Sequence, residues 1–294
     1  MADTPRVTVS PGQERVGRHA AVVYSDDRQW AAHLCAFVRD GLDRDEQIRY
    51  FADATEPARV LHTLTEAGID AAGAVRRGQL AVSTAAQTYL AGGGFDPDQV
   101  IALWYEAVAE ASAQGFRALR AIGEMSWGAR DVAGADRLLE YELRMHHEVF
   151  ERLPLTAWCF YDRRPMPKEG VDVLAGAHLT HRGTCREDVA PRLALRVAPL
   201  AGSSGFLLSG SAGHESRHVV AAAAAAVTNA PDARVELDLS ALRHLDAASL
   251  LTLAEASDRR PGNVPLRIRE APATVRRLLD LFPELSSSVE VVGR

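Results

Sequence analysis

The chain has 294 residues, of which 47% are hydrophobic and 24% are charged, and its formal net charge is -6. This composition is typical of a globular protein with one large or two ordinary domains. The acidic balance, without a clustered basic face, argues against direct binding of nucleic acid, because phosphate contacts need Lys and Arg.

The apolar runs and the cysteines indicate in which cellular compartment the protein is located. The longest apolar run, Val219 to Val227, is shorter than the roughly 20 residues that cross a bilayer, and the first residues lack the layout of a signal peptide. We therefore predict a cytoplasmic protein without a membrane segment. Cys35, Cys159 and Cys185 are odd in number and scattered, which favours free thiols over a disulfide framework.

Composition divides the chain at one place. Residues 180–192, THRGTCREDVAPR, are polar, contain Gly and Pro, and show neither helical nor strand periodicity. The predicted segments are an N-terminal extension (1–18), a first domain (19–177), a linker (178–192) and a second domain (193–294).

Apolar strand-like runs alternate with amphipathic helices in the first domain. In chain order these are HAAVVYS, a helix near 30–40, QIRYFAD, a helix near 56–67, GQLAVST, a long helix from Asp98, RALRAIGEMSW, a helix near 134–152, and LTAWCFYDR. Strands that recur between helices predict βαβ units and a mostly parallel sheet covered on both faces.

The second domain repeats this alternation in a smaller unit. Its strand-like runs are LALRVAPLA, GFLLSG, ARVELDLS, VPLRIRE and SVEVVGR, and its helices lie near 214–226, from Asp246, and near 273–281. The predicted fold class of the whole chain is therefore α/β, with two domains of different size.

In the stretch VELDLSALRHLDAASLLTL, a strand ends in Asp-Leu-Ser and Asp246 then opens a helix. Together with the late LRIREAPATVRRLLDLF, this stretch resembles the STAS domain of anti-sigma factor antagonists. The resemblance covers 193–294 and implies binding of an anti-sigma factor or another STAS-containing complex. The expected partner-binding residues are Asp246, Ala247, Ala248 and Ser249.

The phosphorylation site of the STAS family is altered in this sequence. The family pattern after the Asp is Ser-Ser/Thr-Gly, and a partner kinase phosphorylates the first hydroxyl, whereas Ala247, Ala248 and Ser249 stand here. Alanine has no hydroxyl, and Ser249 lies about 200° further round the helix. The resemblance therefore implies a domain that behaves as permanently unphosphorylated or is governed by the first domain. The alternative is that Ser249 is a substitute acceptor.

Several motifs follow one another along the first domain. They are His19 at its start, GGFDPD (93–98), GEMSW (123–127), LLEYE (138–142) and CFYDRR (159–164). Together they resemble the MEDS domain, a bacterial sensory module. The resemblance implies a sensory fold that is a degenerate relative of RecA-like nucleotide-binding ATPases.

The stretch between the first strand and helix does not suit a phosphate. A phosphate-cradling loop needs glycines, a Lys and a Ser or Thr, whereas YSDDRQW offers Asp26 and Asp27. Since two carboxylates repel phosphate, we predict a non-enzymatic protein without a cofactor. The alternatives are a nucleotide-binding or hydrolysing RecA-like protein and a scaffold without a small ligand.

The predicted ligand site lies in loops at the carboxyl ends of the first sheet, as in open α/β folds. Glu124 and Trp127 follow one strand, Tyr161 and Arg163 follow another, and His19 opens the domain. Trp127 and Tyr161 offer apolar walls with polar handles, while Glu124 and Arg163 either orient a ligand or pair with each other. The alternative is a structural ion pair beside a core tryptophan.

Two histidines and a cysteine near the predicted linker have a spacing that a transition metal accepts. These are His178, His181 and Cys185. Because no fourth ligand is evident, we predict no metal site. Cys159 ends an apolar strand, where an inert buried thiol is the common outcome.

The helix near 134–152 carries four residues of interest. Tyr141 and Glu142 are expected in the core or on a solvated surface, and His146 and His147 are expected on the surface.

The complete set of features predicts a signalling protein that works by binding. A signal at the first domain would alter access to the Asp246 helix entry, in partner-switching control of transcription.

Overall fold

The computed structural model describes residues 18–183, 195–262 and 264–292. These residues form two α/β domains, each built on one sheet, which confirms the predicted fold class. Cys185 and the first 17 residues lie outside the described part of the chain. Among the helices of that part, none is long and apolar enough to span a membrane.

The first domain has six strands in the order β3-β2-β4-β5-β1-β6, and all of its strand pairs are parallel. Its elements are β1 (His19–Tyr24), α1 (Asp27–Asp43), β2 (Gln47–Ala52), α2 (Pro57–Glu66), α3 (Ala71–Arg76), β3 (Leu80–Thr84), α4 (Pro97–Ala113), β4 (Leu119–Glu124), α5 (Leu138–Met145), β5 (Leu155–Asp162), α6 (Lys168–Gly176) and β6 (Thr180–Gly183). Short 3-10 helices lie at Ala85–Gln87, Ser126–Ala129 and Ala135–Arg137, and a π-helix follows α5 at His146–Phe150.

Both faces of the first sheet are covered, as the sequence predicts. Ala20 and Val22 of β1 pack in the same cluster as Phe37 of α1, whereas Ala21 and Val23 pack in the cluster formed with α4 and α5. Every residue of β1 is buried, which is typical of a parallel strand with helices on both sides.

The sixth strand lies in the segment predicted to be the linker. Residues 180–183 of β6 pair in parallel with residues 20–23 of β1. The sequence did not reveal this strand because it is an edge strand whose residues are exposed or half-buried, so it lacks the apolar alternation of a core strand. The first sheet therefore reaches into the predicted linker.

The second domain has five strands in the order β11-β10-β9-β8-β7. Its elements are β7 (Arg196–Pro199), β8 (Gly205–Ala212), α7 (Arg217–Thr228), β9 (Glu236–Leu245), α8 (Ala247–Asp258), β10 (Leu266–Arg269), α9 (Ala273–Leu281) and β11 (Val289–Val292). The β7–β8 pair is antiparallel and the other pairs are parallel. Short 3-10 helices lie at His214–Ser216 and Pro283–Ser287.

Helix α5 lies between the two domains and is buried along its whole length. Leu139 and Leu143, one turn apart, pack in the hydrophobic cluster of the second domain. Tyr141 and Met145 pack in a cluster of the first domain. A helix with apolar residues on more than one face is typical of a fully enclosed position.

The two histidines after α5 are buried, which corrects their predicted surface position. His147 bridges the domains: its Nδ1 lies 3.1 Å from Glu151 Oε2, and its Nε2 lies 3.2 Å from the backbone N of Gly205 and 3.0 Å from its O. His146 lies beside it in the π-helix. The pattern of one helix cannot reveal that a second domain covers it, so the prediction was wrong.

Replacing Leu143 with alanine should destabilise the chain, because Leu143 is fully buried in the cluster shared by both domains. We expect Leu143→Ala to lower the free energy of unfolding by about 2–5 kcal/mol, since transfer energy is lost and a cavity remains. Urea denaturation measures the change. Leu103→Ala in α4 is the control, because Leu103 is 42% exposed and its loss should cost about 0.5 kcal/mol or less. Equal losses would contradict the expectation.

His146 should make stability depend on pH. Burial, and then the neighbouring His147, lower the pKa of His146 from 6.5 to about 4. The unfolded chain therefore binds a proton at His146 more tightly than the folded chain does. The free energy of unfolding is highest above pH 6.5, and it decreases as the pH falls from 6.5 towards about 4, the pKa of His146 in the folded chain. Between about pH 7 and pH 5, wild type should lose about 2 kcal/mol more than His146→Gln in urea titrations.

The control for this pH experiment is His62→Gln. The His62 side chain is 71% exposed and pairs with Glu66 on the surface of α2, so this variant should follow the wild-type pH curve. If the curves of wild type and His146→Gln run parallel, the pKa of His146 is the same in the folded and the unfolded chain, which would contradict the prediction.

Candidate functional site

An apolar cavity lies between the first sheet and helices α4 and α5. Its volume is about 30 Å³, which is room for a molecule the size of one or two waters. Its wall includes the side chains of Phe51, Tyr89, Phe95, Trp104, Met125, Trp127, Tyr141, Met145 and Trp158. His19 and Cys159 also line it and supply its polar end.

A groove of about 290 Å³ lies beside this cavity, against β2 and α4. Phe51, Tyr89 and Trp104 line both spaces, so their rings form the wall between them. Arg49 and Glu110 form an ion pair of 2.8 Å at the groove.

Two of the five residues predicted for the ligand site line the cavity, namely His19 and Trp127. Trp127 is completely buried, and its ring centroid lies 4.6 Å from that of Phe95. The tryptophan therefore belongs to the core and forms part of the cavity wall at the same time.

Glu124 and Arg163 each have a different partner. Glu124 accepts hydrogen bonds from the Tyr50 hydroxyl and from two backbone N–H groups of the loop after β2, at 2.8 and 2.9 Å. Arg163 donates from Nη2 to Asp172 Oδ1 of α6 at 2.9 Å. Both carboxylate oxygens of Glu124 are thus occupied by protein donors, and the two side chains fix loops and helices in place.

The turn between β1 and α1 holds its two carboxylates in structural contacts. Asp26 caps α1 by accepting from the N–H of Gln29 at 2.8 Å. Asp27 forms ion pairs of 2.7 Å with Arg59 and 2.8 Å with Arg164, and their hydrogen bonds lower its pKa. Two carboxylates, each held by a protein donor, thus stand where a phosphate-binding loop would present glycine and lysine.

Four buried ionisable side chains converge beside the cavity, and we call them the His19 cluster: His19, Glu142, Cys159 and His178. His19 Nε2 lies 3.2 Å from Glu142 Oε2 and 3.4 Å from Cys159 Sγ. Glu142 Oε2 also lies 3.6 Å from that sulfur and 3.5 Å from His178 Nε2. Tyr161, another predicted site residue, donates to Glu142 Oε1 at 2.6 Å.

The strand register explains how residues so distant in sequence meet. His19 of β1 is the partner of Ala157 in β5, and side chains two residues apart on a strand share a face. Cys159 and Tyr161 therefore follow on the same face as His19. Helix α5 lies over this face and supplies Glu142, and His178 follows the end of α6.

Burial determines the protonation of the cluster. It lowers the pKa values of His19 and His178 to about 3, so both imidazoles are neutral at neutral pH. It raises the pKa values of the Glu142 carboxyl and the Cys159 thiol. Two neutral imidazoles, a thiol and a carboxyl form a donor set that a transition-metal ion can use.

Sequence reasoning missed this cluster because it searched for ligands at short spacing. It grouped His178 with His181 and Cys185, but His181 Nε2 lies 2.8 Å from the carbonyl oxygen of Ala175, and Cys185 lies outside the described residues. One signal was available in the sequence: Cys159 and Tyr161 are two residues apart and therefore lie on the same face of β5. It points to His19 only when the pairing of β1 with β5 is known.

The entry of helix α8 carries the predicted partner-binding residues. Asp246 caps the helix by accepting from the N–H of Ser249 at 2.8 Å. Burial acts to raise the pKa of Asp246, but the hydrogen bonds from Ser249 together with the nearby His244 and Arg217 lower it below its usual value. Ala247 and Ala248 are exposed, whereas Ser249 is only 3% exposed.

A cleft of about 870 Å³ between the two domains lies next to this helix entry. Its lining includes Leu139 of α5 and Val173 of α6 on one side, and Gly213 and His214 on the other. The N–H of Asp246 donates to the carbonyl oxygen of Ala212, directly before Gly213, at 3.1 Å. The wall of the cleft is thus continuous with the mouth of α8.

Comparisons with known families agree with the two resemblances. Residues 18–181 match the MEthanogen/methylotroph, DcmR Sensory domain, abbreviated MEDS, and residues 202–283 match the Mlab, STAS domain. A search of curated proteins finds no match. A sensory domain followed by a STAS domain fits a regulatory protein of the anti-sigma factor antagonist type. Since the first match covers more than half of the chain, this protein belongs to the MEDS family and carries a STAS domain behind its sensory domain.

Proposed function

We propose that the MEDS domain senses a small ligand and thereby controls a partner-binding surface of the STAS domain, in partner-switching control of transcription. The observation that carries this proposal is the position of α5. Its Tyr141 and Met145 line the apolar cavity, and its Leu139 and Leu143 pack with the STAS core. A ligand that displaces α5 on one side changes packing on the other.

The ligand of this proposal is small and largely apolar. Aromatic and methionine side chains form most of the cavity wall, and apolar cavities of proteins bind apolar guests because no polar group there holds water. The polar end, at His19 and Cys159, gives the guest one orientation.

The partner surface of the proposal is the exposed entry of α8. Ala247, Ala248 and Leu251 present methyl and isobutyl groups to solvent, and Leu251 is 46% exposed. Such a surface suits an anti-sigma factor or another STAS-containing complex that recognises an unphosphorylated helix entry. Because residue 247 has no hydroxyl and Ser249 is buried, this entry gains no phosphate, and the MEDS domain is left to control binding.

Ala121→Val tests the sensing step. Ala121 is 1% exposed in β4 and lines the cavity, so two additional methyl groups should fill that space at a cost of about 1–3 kcal/mol. Affinity purification of the full chain with mass spectrometry identifies the protein partner. Xenon, a guest of apolar cavities, then serves as the ligand probe. Xenon NMR should show that it binds wild type, and its binding should change the affinity of wild type for the partner. Ala121→Val should show neither effect.

Ala52→Val is the control for the cavity variant. Ala52 is equally buried but packs on the opposite face of the sheet, so this variant should respond to xenon as wild type does. Sensing through this cavity would be contradicted if wild type bound no xenon, or if its affinity for the partner were the same with and without xenon.

Ala247→Glu tests the partner surface by placing a negative charge at the exposed helix entry. An acidic residue in the first helical turn does not destabilise the helix, because it complements the helix dipole. A partner that docks on the exposed methyl groups of this entry should lose affinity by at least about 10-fold, the effect of about 1.4 kcal/mol. Partner capture by the full-length variant measures this loss.

Two controls separate charge from size and from position. Ala247→Gln has nearly the same shape without the charge and should bind more tightly than Ala247→Glu. Ala221→Glu places the same charge on an exposed position of α7 and should leave binding unchanged. Equal binding by wild type and Ala247→Glu would exclude the α8 entry as the docking surface.

A further inference from the structure

The four side chains of the His19 cluster are spaced as the ligands of a metal ion are. Four of the six distances among their nitrogen, oxygen and sulfur atoms are 3.2, 3.4, 3.5 and 3.6 Å, and all four atoms lie within 4.8 Å of one another. Atoms bound at about 2.0–2.3 Å to a tetrahedral zinc ion lie about 3.3–3.6 Å from one another. The cluster therefore surrounds a centre of the right size for such an ion.

His178 presents an unpaired acceptor to this centre. Its Nδ1 lies 3.0 Å from the carbonyl oxygen of Leu174 and donates to it, so in the neutral ring Nε2 carries the lone pair. Among the described residues, Nε2 has no hydrogen-bond partner, and it belongs to a fully buried side chain. It faces Glu142 Oε2 at 3.5 Å, and two buried acceptors that face each other repel unless a proton or a metal cation lies between them.

Contacts around the cluster hold two further ligands in place. Tyr161 donates to Glu142 Oε1 at 2.6 Å, which leaves Oε2 directed towards the centre. The His19 ring stacks on Phe150, with ring centroids 4.4 Å apart. Outer contacts of this kind orient metal ligands before the ion binds.

We propose that His19, Glu142, Cys159 and His178 form a four-coordinate site for Zn²⁺. Two imidazoles, a thiolate and a carboxylate suit this ion better than Ca²⁺ or Mg²⁺, which prefer oxygen ligands. Binding releases the thiol proton of Cys159, and any proton on Glu142, to solvent. The thiolate and the carboxylate then balance the two charges of the ion, so the loaded site is neutral, as a buried site requires.

The site is structural. Four protein ligands complete a tetrahedral shell, which is typical of zinc sites that stabilise a fold and leave no position for a substrate. The ion joins β1, α5, β5 and the segment that follows α6. It thereby ties the helix that connects the two domains to the first sheet through Glu142, and this inference does not rest on the proposed sensing function.

Metal loading of the full-length protein tests the site. The protein is unfolded with a chelator, refolded with Zn²⁺ or Co²⁺, freed of excess ion and analysed for metal by mass spectrometry. We expect about one ion per chain. Co²⁺-loaded wild type should show the visible absorption of tetrahedral cobalt together with thiolate-to-cobalt charge transfer. Cys159→Ser should lose the charge transfer and bind Zn²⁺ at least about 100-fold more weakly.

Cys35→Ser is the matched control. Cys35 is another buried free thiol, but it lies in α1 on the opposite face of the sheet, so this variant should keep both the ion and the absorption. Glu142→Gln, which preserves side-chain shape, should also weaken binding and provides a second variant if Cys159→Ser folds poorly. Wild type that refolds with native circular dichroism but holds no ion would overturn the proposal, as would equal metal loss from Cys35→Ser.

Discussion

The burial of helix α5 between two cores constrains the rest of the structure. All eight of its residues are buried, so each polar residue on it needs a partner within the protein. Arg144 donates to Glu140 at 3.0 Å and to Glu148 at 2.7 Å, and it pairs with Asp98 of α4 at 2.7 Å. These contacts fix the rotation of the helix, and the rotation decides which residues face each domain.

The π-helix after α5 extends this constraint to the second domain. A π-turn inserts one extra residue per turn and shifts the direction of the side chains that follow, and here it brings His147 to the backbone of Gly205. Gly205 has a φ of +146°, and a Cβ there would lie 1.9 Å from the carbonyl oxygen of Glu236. Only glycine allows this close approach of Gly205 to Glu236. The backbone that His147 contacts therefore requires a glycine, and the position of His147 requires the irregular helix.

The sequence predicted those features that depend on local periodicity. The alternation of strands and helices, the doubly covered first sheet and the helix that begins after Asp246 are all present in the structure. The surroundings of α5 could not be predicted, because its pattern does not distinguish solvent from a second domain. The buried positions of His146 and His147 were missed for this reason, and the His19 cluster was missed because a parallel register, and not sequence spacing, brings its members together.

The size of the cavity limits how the proposed signal can work. A very small ligand gains at most about 1.5 kcal/mol of binding free energy per non-hydrogen atom, so a guest of two or three atoms supplies roughly 3–5 kcal/mol. Moving a two-state equilibrium from 1:99 to 99:1 requires about 5.5 kcal/mol of differential binding. In the proposed mechanism, α5 would therefore have two positions that differ by only a few kcal/mol in the absence of ligand. A shift of α5 would have to keep the ion pairs of Arg144 and change only the apolar contacts of Leu139 and Leu143 with the STAS core.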